Sequence, residues 1–360
     1  MRLGSARLRV PRPRADDWVW MMDHTVQAGP HHVLAVVGLR ASEWPQGRAL
    51  LLSDLELLAL VPQANPTAKA VLGVLEGVAA RLGPPRLLLS DHGRQLRLAA
   101  RTWVARNPGT AAVYDLLHWM GNWLRRRLES DPCWGGFQGL LAQARAKLLQ
   151  TPAAAWMPPR LRKQARYLNL GRVWAWAERV LSKQEADRPE ALGWLEAHRP
   201  AVGRWRLDHG ILGGVLAHVR VEGLSGRTAE RCLAKIPEAS REAAAAEAAR
   251  KFLKGQAARL GPEDRWPGTT EVLESAFGRL KEAEGVQRQE GCTGWLLSLG
   301  ALLRGWTQEE LTEALGRVPY KQVRSWVRAN LGETVHAARS RLFPRTQKRR
   351  EPDPMSTPTL

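Results

Sequence analysis

Three acidic residues lie where a carboxylate can hold a divalent cation. Asp23 ends one apolar run, Asp91 ends a second, and Glu274 lies within an amphipathic segment. Hard cations such as Mg²⁺ prefer oxygen ligands, and two such ions can clamp the attacking and leaving oxygens of an in-line displacement. Two carboxylates at strand ends and a third on a helix therefore predict a site for two Mg²⁺ or Mn²⁺ ions and phosphodiester chemistry.

Each of these acids also has an ordinary structural explanation. Asp23 could cap a hairpin turn, and Asp91 could cap the helix that follows it, because Asp is favoured at that position. Glu274 could be a solvated charge on an amphipathic helix. Glu129 competes as the third ligand, but residues 119–128 are predicted to form one helix, which would put Glu129 about 15 Å from the strand end.

The segment around Glu274 has the pattern of a helix with one apolar face. Gly268, Thr269 and Thr270 precede it, so Glu274 is predicted in the first or second helical turn. Arg279 and Lys281 follow and could hold phosphates. The apolar positions recur at helical spacing, and they are Val272, Leu273, Ala276, Phe277 and Leu280.

The arrangement of strands predicted for the first 118 residues would bring Asp23 and Asp91 together. The pattern is strand, strand, strand, helix, strand, helix, strand, and turn residues at 27–30 indicate a hairpin between the first two strands. Three antiparallel strands followed by parallel additions resemble the RNase H-like arrangement, in which the ends of the first and fourth strands lie side by side. The predicted strands cover residues 17–22, 32–39, 49–52 with 56–61, 87–89 and 111–114.

The strand pattern stops near Trp119, and a helical pattern continues to about Arg265. The fold class predicted is α/β, with a mixed sheet core that an all-helical insertion interrupts. The predicted parts are a basic, extended N-terminal arm (1–15), the first part of the core (16–118), the insertion (119–265), the Glu274 segment that completes the core (266–303), a helical C-terminal region (304–343) and a disordered tail (344–360).

The C-terminal region has the spacing of a helix-turn-helix. Thr307 and Glu310 predict a capping box that opens one helix, and a second helix is predicted over residues 320–330. A helical hairpin that serves only as scaffold is the alternative. If the second helix reads DNA, it would do so through one basic face that carries Lys321, Arg324 and Arg328.

Composition favours a polyanionic partner. The 360 residues carry a net charge of +19, and nucleic acid is the usual partner of such a chain. A generically basic protein from an arginine-rich genome is the alternative. Three cysteines, at 133, 232 and 292, form no zinc spacing, which fits a reducing cytoplasm. The sequence contains neither the apolar stretch of a signal peptide nor a membrane span, so no membrane partner is predicted.

Two short motifs resemble those of a known family. Thr269, Thr270, Leu273 and Glu274, followed by Leu280 and Lys281, resemble the Thr-Thr-Asn-x-Ile-Glu…Leu/Ile-Lys helix of Mutator-like and related bacterial insertion-sequence transposases. Asp115 and His118 resemble the Asp/Cys-x-x-His motif that follows the last core strand in those enzymes. The resemblance implies an RNase H-like core with a helical insertion, and Glu274 as the third metal ligand of a DDE triad.

The resemblance further implies a DNA transposase that cleaves transposon ends and transfers strands, acting as a homodimer on double-stranded DNA. Asp115 and His118 would support the triad, with Asp115 as another candidate ligand. His118 would orient DNA or the aspartate, or could equally be a buried, hydrogen-bonded core histidine. The chain departs from the family at Glu271 and Phe277, where Asn is usual, and only a short basic arm precedes Asp23. An inactive or domesticated DNA-binding derivative, or an RNase H-fold nuclease without strand transfer, are the alternatives.

Overall fold

The computed structural model describes residues 1–28, 31–161, 167–286, 295–303, 305–333 and 335–343. The predicted turn at residues 29–30 and the predicted tail at 344–360 lie outside these ranges, as does Cys292. None of the helices in this described part of the chain is both long and apolar enough to cross a lipid bilayer.

A five-stranded mixed sheet forms the centre of the α/β fold. Its strands are β1 (Trp18–Ala28), β2 (His31–Arg40), β3 (Glu56–Gln63), β4 (Leu87–Ser90) and β5 (Ala111–Tyr114). The order across the sheet is β3-β2-β1-β4-β5. The first three strands pair antiparallel, whereas β4 runs parallel to both β1 and β5. The predicted arrangement, three antiparallel strands followed by parallel additions, is confirmed.

Helices flank the sheet and build the insertion. Before β5 the chain forms α1 (Arg2–Arg9), α2 (Ala68–Leu82) and α3 (Arg94–Arg106). The next seven are α4 (Leu116–Glu129), α5 (Pro132–Leu148), α6 (Gly171–Leu181), α7 (Trp194–Ala197), α8 (Arg199–Glu222), α9 (Thr228–Ala234) and α10 (Ala244–Ala257). The last are α11 (Glu271–Val286), α12 (Leu299–Leu302), α13 (Gln308–Arg317), α14 (Tyr320–Leu331) and α15 (Val335–Leu342).

The sheet is buried on both faces, which explains why its strands are apolar at consecutive positions. In β1, Trp20 and Met22 join an apolar cluster that α2 and α3 cover. Val19 and Met21 point to the opposite face and join a larger cluster that includes Leu273 and other residues of α11. Helix α11 therefore lies against the second face of the sheet, where its apolar side is buried.

The insertion has an apolar core of its own. The described residues between 119 and 265 contain no strand, apart from one isolated bridge from Leu224 to Trp266. Aromatic rings fill this core: Trp134 and Trp205 meet edge-on with centroids 5.4 Å apart, and Phe137 meets Trp205 at 5.3 Å. Such edge-to-face contacts add to the large apolar area that each ring buries. Much of the high tryptophan content therefore serves packing within the insertion.

The structure corrects two predictions of local structure. Residues 2–9 form helix α1 rather than an extended arm, and the backbone at Gly4 packs so closely on Leu297 that a Cβ there would meet the Leu297 carbonyl. This contact between distant segments left no local signal. Residues 49–52 do not extend the third strand, because the Asp54 side chain accepts hydrogen bonds from the Leu51 N–H and from Arg48 instead.

The two C-terminal helices form as predicted. Thr307 accepts a hydrogen bond from the Glu310 N–H at 3.2 Å, and the Glu310 side chain accepts one from the Thr307 N–H at 3.0 Å, so the capping box is confirmed. Helix α14 follows after a short turn and contacts β3. The three basic residues predicted on its surface, Lys321, Arg324 and Arg328, are all exposed.

Candidate metal centre

Three carboxylates lie at one level of the sheet. In the parallel pairings, Met22 of β1 lies opposite Ser90 of β4, and Ser90 lies opposite Tyr114 of β5. Adjacent strands are roughly 4.8 Å apart, so the residues that come next on these strands are neighbours in space. Each of those next residues is acidic: Asp23, Asp91 and Asp115.

The fourth acid comes from the helix that covers this part of the sheet. Asp23 still belongs to β1 and lies two residues after Met21, so its side chain points to the face that α11 covers. Helix α11 begins at Glu271, which puts Glu274 in its first turn, as predicted. Leu273, Ala276, Phe277 and Leu280 are buried. The apolar face of α11 therefore fixes Glu274 beside the row of strand-end carboxylates.

His118 lies between two of the acids. Its Nδ1 is 3.4 Å from Asp115 Oδ2 and 3.5 Å from Glu274 Oε1, although neither contact has the alignment of a good hydrogen bond. Asp115, His118 and Glu274 each offer one ligand atom, and these atoms all lie within 4.8 Å of one another. In the described residues it is this cluster, and not the predicted set of Asp23, Asp91 and Glu274, that brings three potential ligand atoms so close together.

Burial, together with repulsion between the acids, raises the pKa values of Asp23 and Glu274. Burial, and next the negative charge of Asp91, raise the pKa of Asp23 from its ordinary value of 3.8 to about 7. Burial also raises the pKa of Glu274, with further contributions from the charges of Asp115 and Asp91, while His118 opposes the shift. These charge effects are expected of carboxylates that lie near one another.

Asp115 and His118 behave as an ion pair within this group. Burial alone would raise the pKa of Asp115, but its hydrogen bonds and the charge of His118 hold that pKa below its usual range. Burial opposes the charged form of His118, yet Asp115, and then the charges of Glu274 and Asp91, raise its pKa to about 9. A protonated imidazole carries a proton on both nitrogens and cannot ligate a metal.

The remaining charge of the site fits a hard cation. Within the described residues, no Lys or Arg forms an ion pair with Asp23, Asp91 or Glu274, whereas the His118 ring lies 3.5 Å from Glu274 Oε1. Four carboxylates thus face one imidazolium. Carboxylate oxygens are the donors that Mg²⁺ and Mn²⁺ favour.

The loop after β4 holds Asp91 in a turn rather than at a helix cap. Its Oδ1 accepts a hydrogen bond from the Gly93 N–H at 2.8 Å, and Gly93, not Asp91, is the N-cap of α3. In the described residues Asp91 Oδ2 accepts no hydrogen bond, which leaves it available to a ligand. His92 between them has φ +60°, and its ring stacks on that of Tyr114 with centroids 4.2 Å apart.

The other predicted residues lie outside this group. Glu129 is the last residue of α4 and accepts a hydrogen bond from the Tyr167 hydroxyl at 2.5 Å, so the structure does not bring it to the strand ends. Arg279 and Lys281 are exposed on α11, and Arg279 lines a cavity of about 610 Å³. The basic residues of α14 lie on a helix that contacts β3, two strands away from β1.

One part of the site was not predicted from the sequence: the hydrogen bonds from Thr270 to Asp115. Thr270 N–H donates to Asp115 Oδ2 at 2.7 Å, and the Thr270 hydroxyl donates to the same oxygen. The available signal was a threonine just before a helix start, which predicts local capping rather than a contact with a residue 155 positions away.

Comparison of the chain with protein-family models and with curated proteins finds no match.

Proposed function

We propose that this protein is a DDE-type DNA transposase that cleaves the ends of a DNA element and joins them to a target. The observation that carries the proposal is the set of carboxylates at the ends of neighbouring parallel strands, with Glu274 on the helix packed over them. Asp23, Asp91 and Glu274 would hold two Mg²⁺ or Mn²⁺ ions, which when bound supply activation of a water or 3′-hydroxyl and stabilisation of the leaving oxygen.

Three features of the site support binding of a cation there: the state of Asp91, the position of Glu274 and the charge of His118. Asp91 keeps one oxygen free of hydrogen bonds within the described residues, and Glu274 is held in the first turn of a helix with a buried apolar face. His118 is protonated at neutral pH and offsets part of the carboxylate charge before any cation binds. The acids are thus positioned in advance, which limits the rearrangement needed when a cation binds.

The strand order supports an RNase H-like assignment for the core. The order β3-β2-β1-β4-β5, with two antiparallel and two parallel pairings, is the arrangement that this assignment requires. The helices between β5 and α11 correspond to the insertion expected for the proposed subfamily. Because folds host many functions, the carboxylates rather than the topology carry the argument for activity.

The proposed substrate is double-stranded DNA, bound by a homodimer. A net charge of +19 favours a polyanion. Arg279 and Lys281 are exposed on the same helix as Glu274, where they could contact phosphates. The exposed Lys321, Arg324 and Arg328 of α14 form a second basic surface that could read or hold DNA away from the site.

The decisive experiment is cleavage of a labelled duplex that carries the element's own ends, with Mg²⁺ or Mn²⁺. We expect the wild-type protein to cut and join this DNA, and Asp91→Asn and Glu274→Gln to lose at least 10³-fold in cleavage rate while they still bind DNA. Glu282→Gln is the matched control, because Glu282 is exposed on the same helix as Glu274.

Three other results would contradict the proposal or favour an alternative function. Retained cleavage in Glu274→Gln would overturn the ligand assignment. Metal-dependent nicking without joined products would indicate a nuclease of the same fold. Salt-sensitive DNA binding without cleavage by any variant would indicate a DNA-binding derivative whose acids no longer catalyse.

A further inference from the structure

One buried carboxylate joins the two ends of the helical insertion. Asp115 is the last residue before the insertion's first helix, α4, and its side chain is 0% exposed. Its Oδ1 accepts a hydrogen bond from the His118 N–H at 3.0 Å and so caps α4. Its Oδ2 accepts from the N–H of Thr270, at 2.7 Å, and from the Thr270 hydroxyl, just before α11 begins.

The backbone repeats the same connection. Leu116 N–H donates to the Gly268 carbonyl at 2.9 Å, so residues on both sides of the insertion are hydrogen-bonded in two places. Thr270 in turn begins α11, because its carbonyl accepts from the N–H groups of Leu273 and Glu274 at 2.8 and 3.1 Å. A continuous chain of hydrogen bonds therefore runs from Asp115 through Thr270 to the backbone of Glu274.

The geometry points to Asp115 as a positioning residue, which sets where α11 begins and hence where the Glu274 carboxylate lies, rather than as a metal ligand. This inference rests on the proposed role of Glu274 in binding a cation. Both oxygens of Asp115 already accept hydrogen bonds, and the residue has no exposed surface. A carboxylate engaged in this way has little capacity left for a cation.

Asparagine cannot replace this carboxylate, although it has nearly the same shape. Each Asp115 oxygen accepts hydrogen bonds from a different residue, Oδ1 from His118 and Oδ2 from Thr270. An amide has a single oxygen, and its N–H₂ group donates instead. In Asp115→Asn the side-chain N–H₂ group would face the backbone N–H at the start of either α4 or α11. Two donors would then meet without an acceptor. Hydrogen bonds to a charged group are stronger than those between neutral groups, so losing one should free the start of α11.

The test measures Mn²⁺ affinity by electron paramagnetic resonance, together with amide hydrogen exchange at Thr270 and Glu274. We expect Asp115→Asn to weaken Mn²⁺ binding about tenfold and to speed exchange of both amides by at least the same factor. Thr270→Val keeps the Asp115 carboxylate but removes one hydrogen bond to it, so we expect a loss of about threefold in affinity. Thr270→Ser, which keeps the hydroxyl, should restore wild-type behaviour.

The control is Asp208→Asn. Asp208 is a buried acid on α8 that pairs with Arg127 at 3.1 Å within the insertion, so its loss destabilises the protein without touching α11. This variant should leave Mn²⁺ affinity and the two exchange rates unchanged. Unchanged affinity in Thr270→Val with a large loss in Asp115→Asn would mean that Asp115 is itself a ligand, and would overturn the inference.

The same experiment separates this inference from the proposed function. If the wild-type protein binds no Mn²⁺ and cuts no DNA, the proposed function fails, but the exchange rates still report on the link between Asp115 and α11. If Asp115→Asn leaves those exchange rates as they are in the wild type, the positioning role is wrong whatever the protein does with metal.

Discussion

Neutralising Asp23 should stabilise the metal-free protein although it removes a proposed ligand. Burial and the charge of Asp91 raise the pKa of Asp23 from 3.8 to about 7. At about 1.4 kcal/mol for each pKa unit, keeping this carboxylate ionised costs the folded state up to about 4 kcal/mol. Burying a neutral amide has a cost of its own, about 1–2 kcal/mol. We therefore expect Asp23→Asn to raise the free energy of unfolding by about 2–3 kcal/mol at pH 8.

The sign of the pH dependence follows from the direction of the shift. The folded state holds the Asp23 proton more tightly than the unfolded state, so the stability that this proton contributes is fully present below about pH 4. It is lost progressively as the pH rises through about 7. Once the cost of burying the amide is included, wild type and Asp23→Asn should have similar stability near pH 5, diverge as the pH rises to about 7, and change little relative to each other above that pH.

Urea unfolding at pH 5 and pH 8, with and without Mg²⁺, measures both effects. Mg²⁺ at about 100 times its Kd should stabilise the wild-type protein by about 2.7 kcal/mol, whereas Asp23→Asn should respond little. Asp187→Asn, a change at an exposed position, is the control and should stay within about 0.5 kcal/mol of wild type. If Asp23→Asn is no more stable than wild type at pH 8, ionised Asp23 does not destabilise the folded state. A stability difference of equal size at pH 5 would show that the difference does not come from ionisation of Asp23.

Two further predictions concern the same end of the sheet. Cleavage at a fixed, subsaturating Mg²⁺ concentration should rise between pH 6 and pH 8, because a cation must displace the proton that Asp23 holds up to about pH 7; a flat pH profile would argue against that displacement. His92→Ala should be less stable to urea than His92→Gly by about 1 kcal/mol. Both variants lose the stack on Tyr114, but only alanine keeps the strain of φ +60°; equal stabilities would contradict this.

Local pattern was enough to predict the elements that carry the triad residues. Apolar runs that end in an acid marked β1 and β4, and the spacing of Leu273, Phe277 and their neighbours marked α11. These signals are visible in sequence because side chains repeat every two residues in a strand and every 3.6 in a helix. The predicted order of the strands came from the resemblance to an RNase H-like core, not from these local patterns.

Contacts between distant segments were beyond the reach of these patterns. Helix α1 forms where Arg- and Pro-rich sequence indicated an extended arm, because Gly4 packs on the backbone of Leu297. A helix of eight residues is marginal in isolation, so tertiary contact decides whether it exists. The same holds for Asp54, whose hydrogen bonds replace the predicted strand before β3.

The amino-acid sequence was enough to predict which acids are available, the elements that carry them and the net charge of +19 of the chain. The burial of Asp115 between Thr270 and His118 could not be predicted from the sequence. The same holds for the raised pKa values of Asp23 and Glu274, since both depend on how the folded chain packs. Periodicity reports on neighbours within a few positions along the chain. Burial and electrostatic coupling depend on residues far apart in the chain, such as Asp115 and Thr270 at 155 positions, which become neighbours only when the sheet and its covering helix pack together.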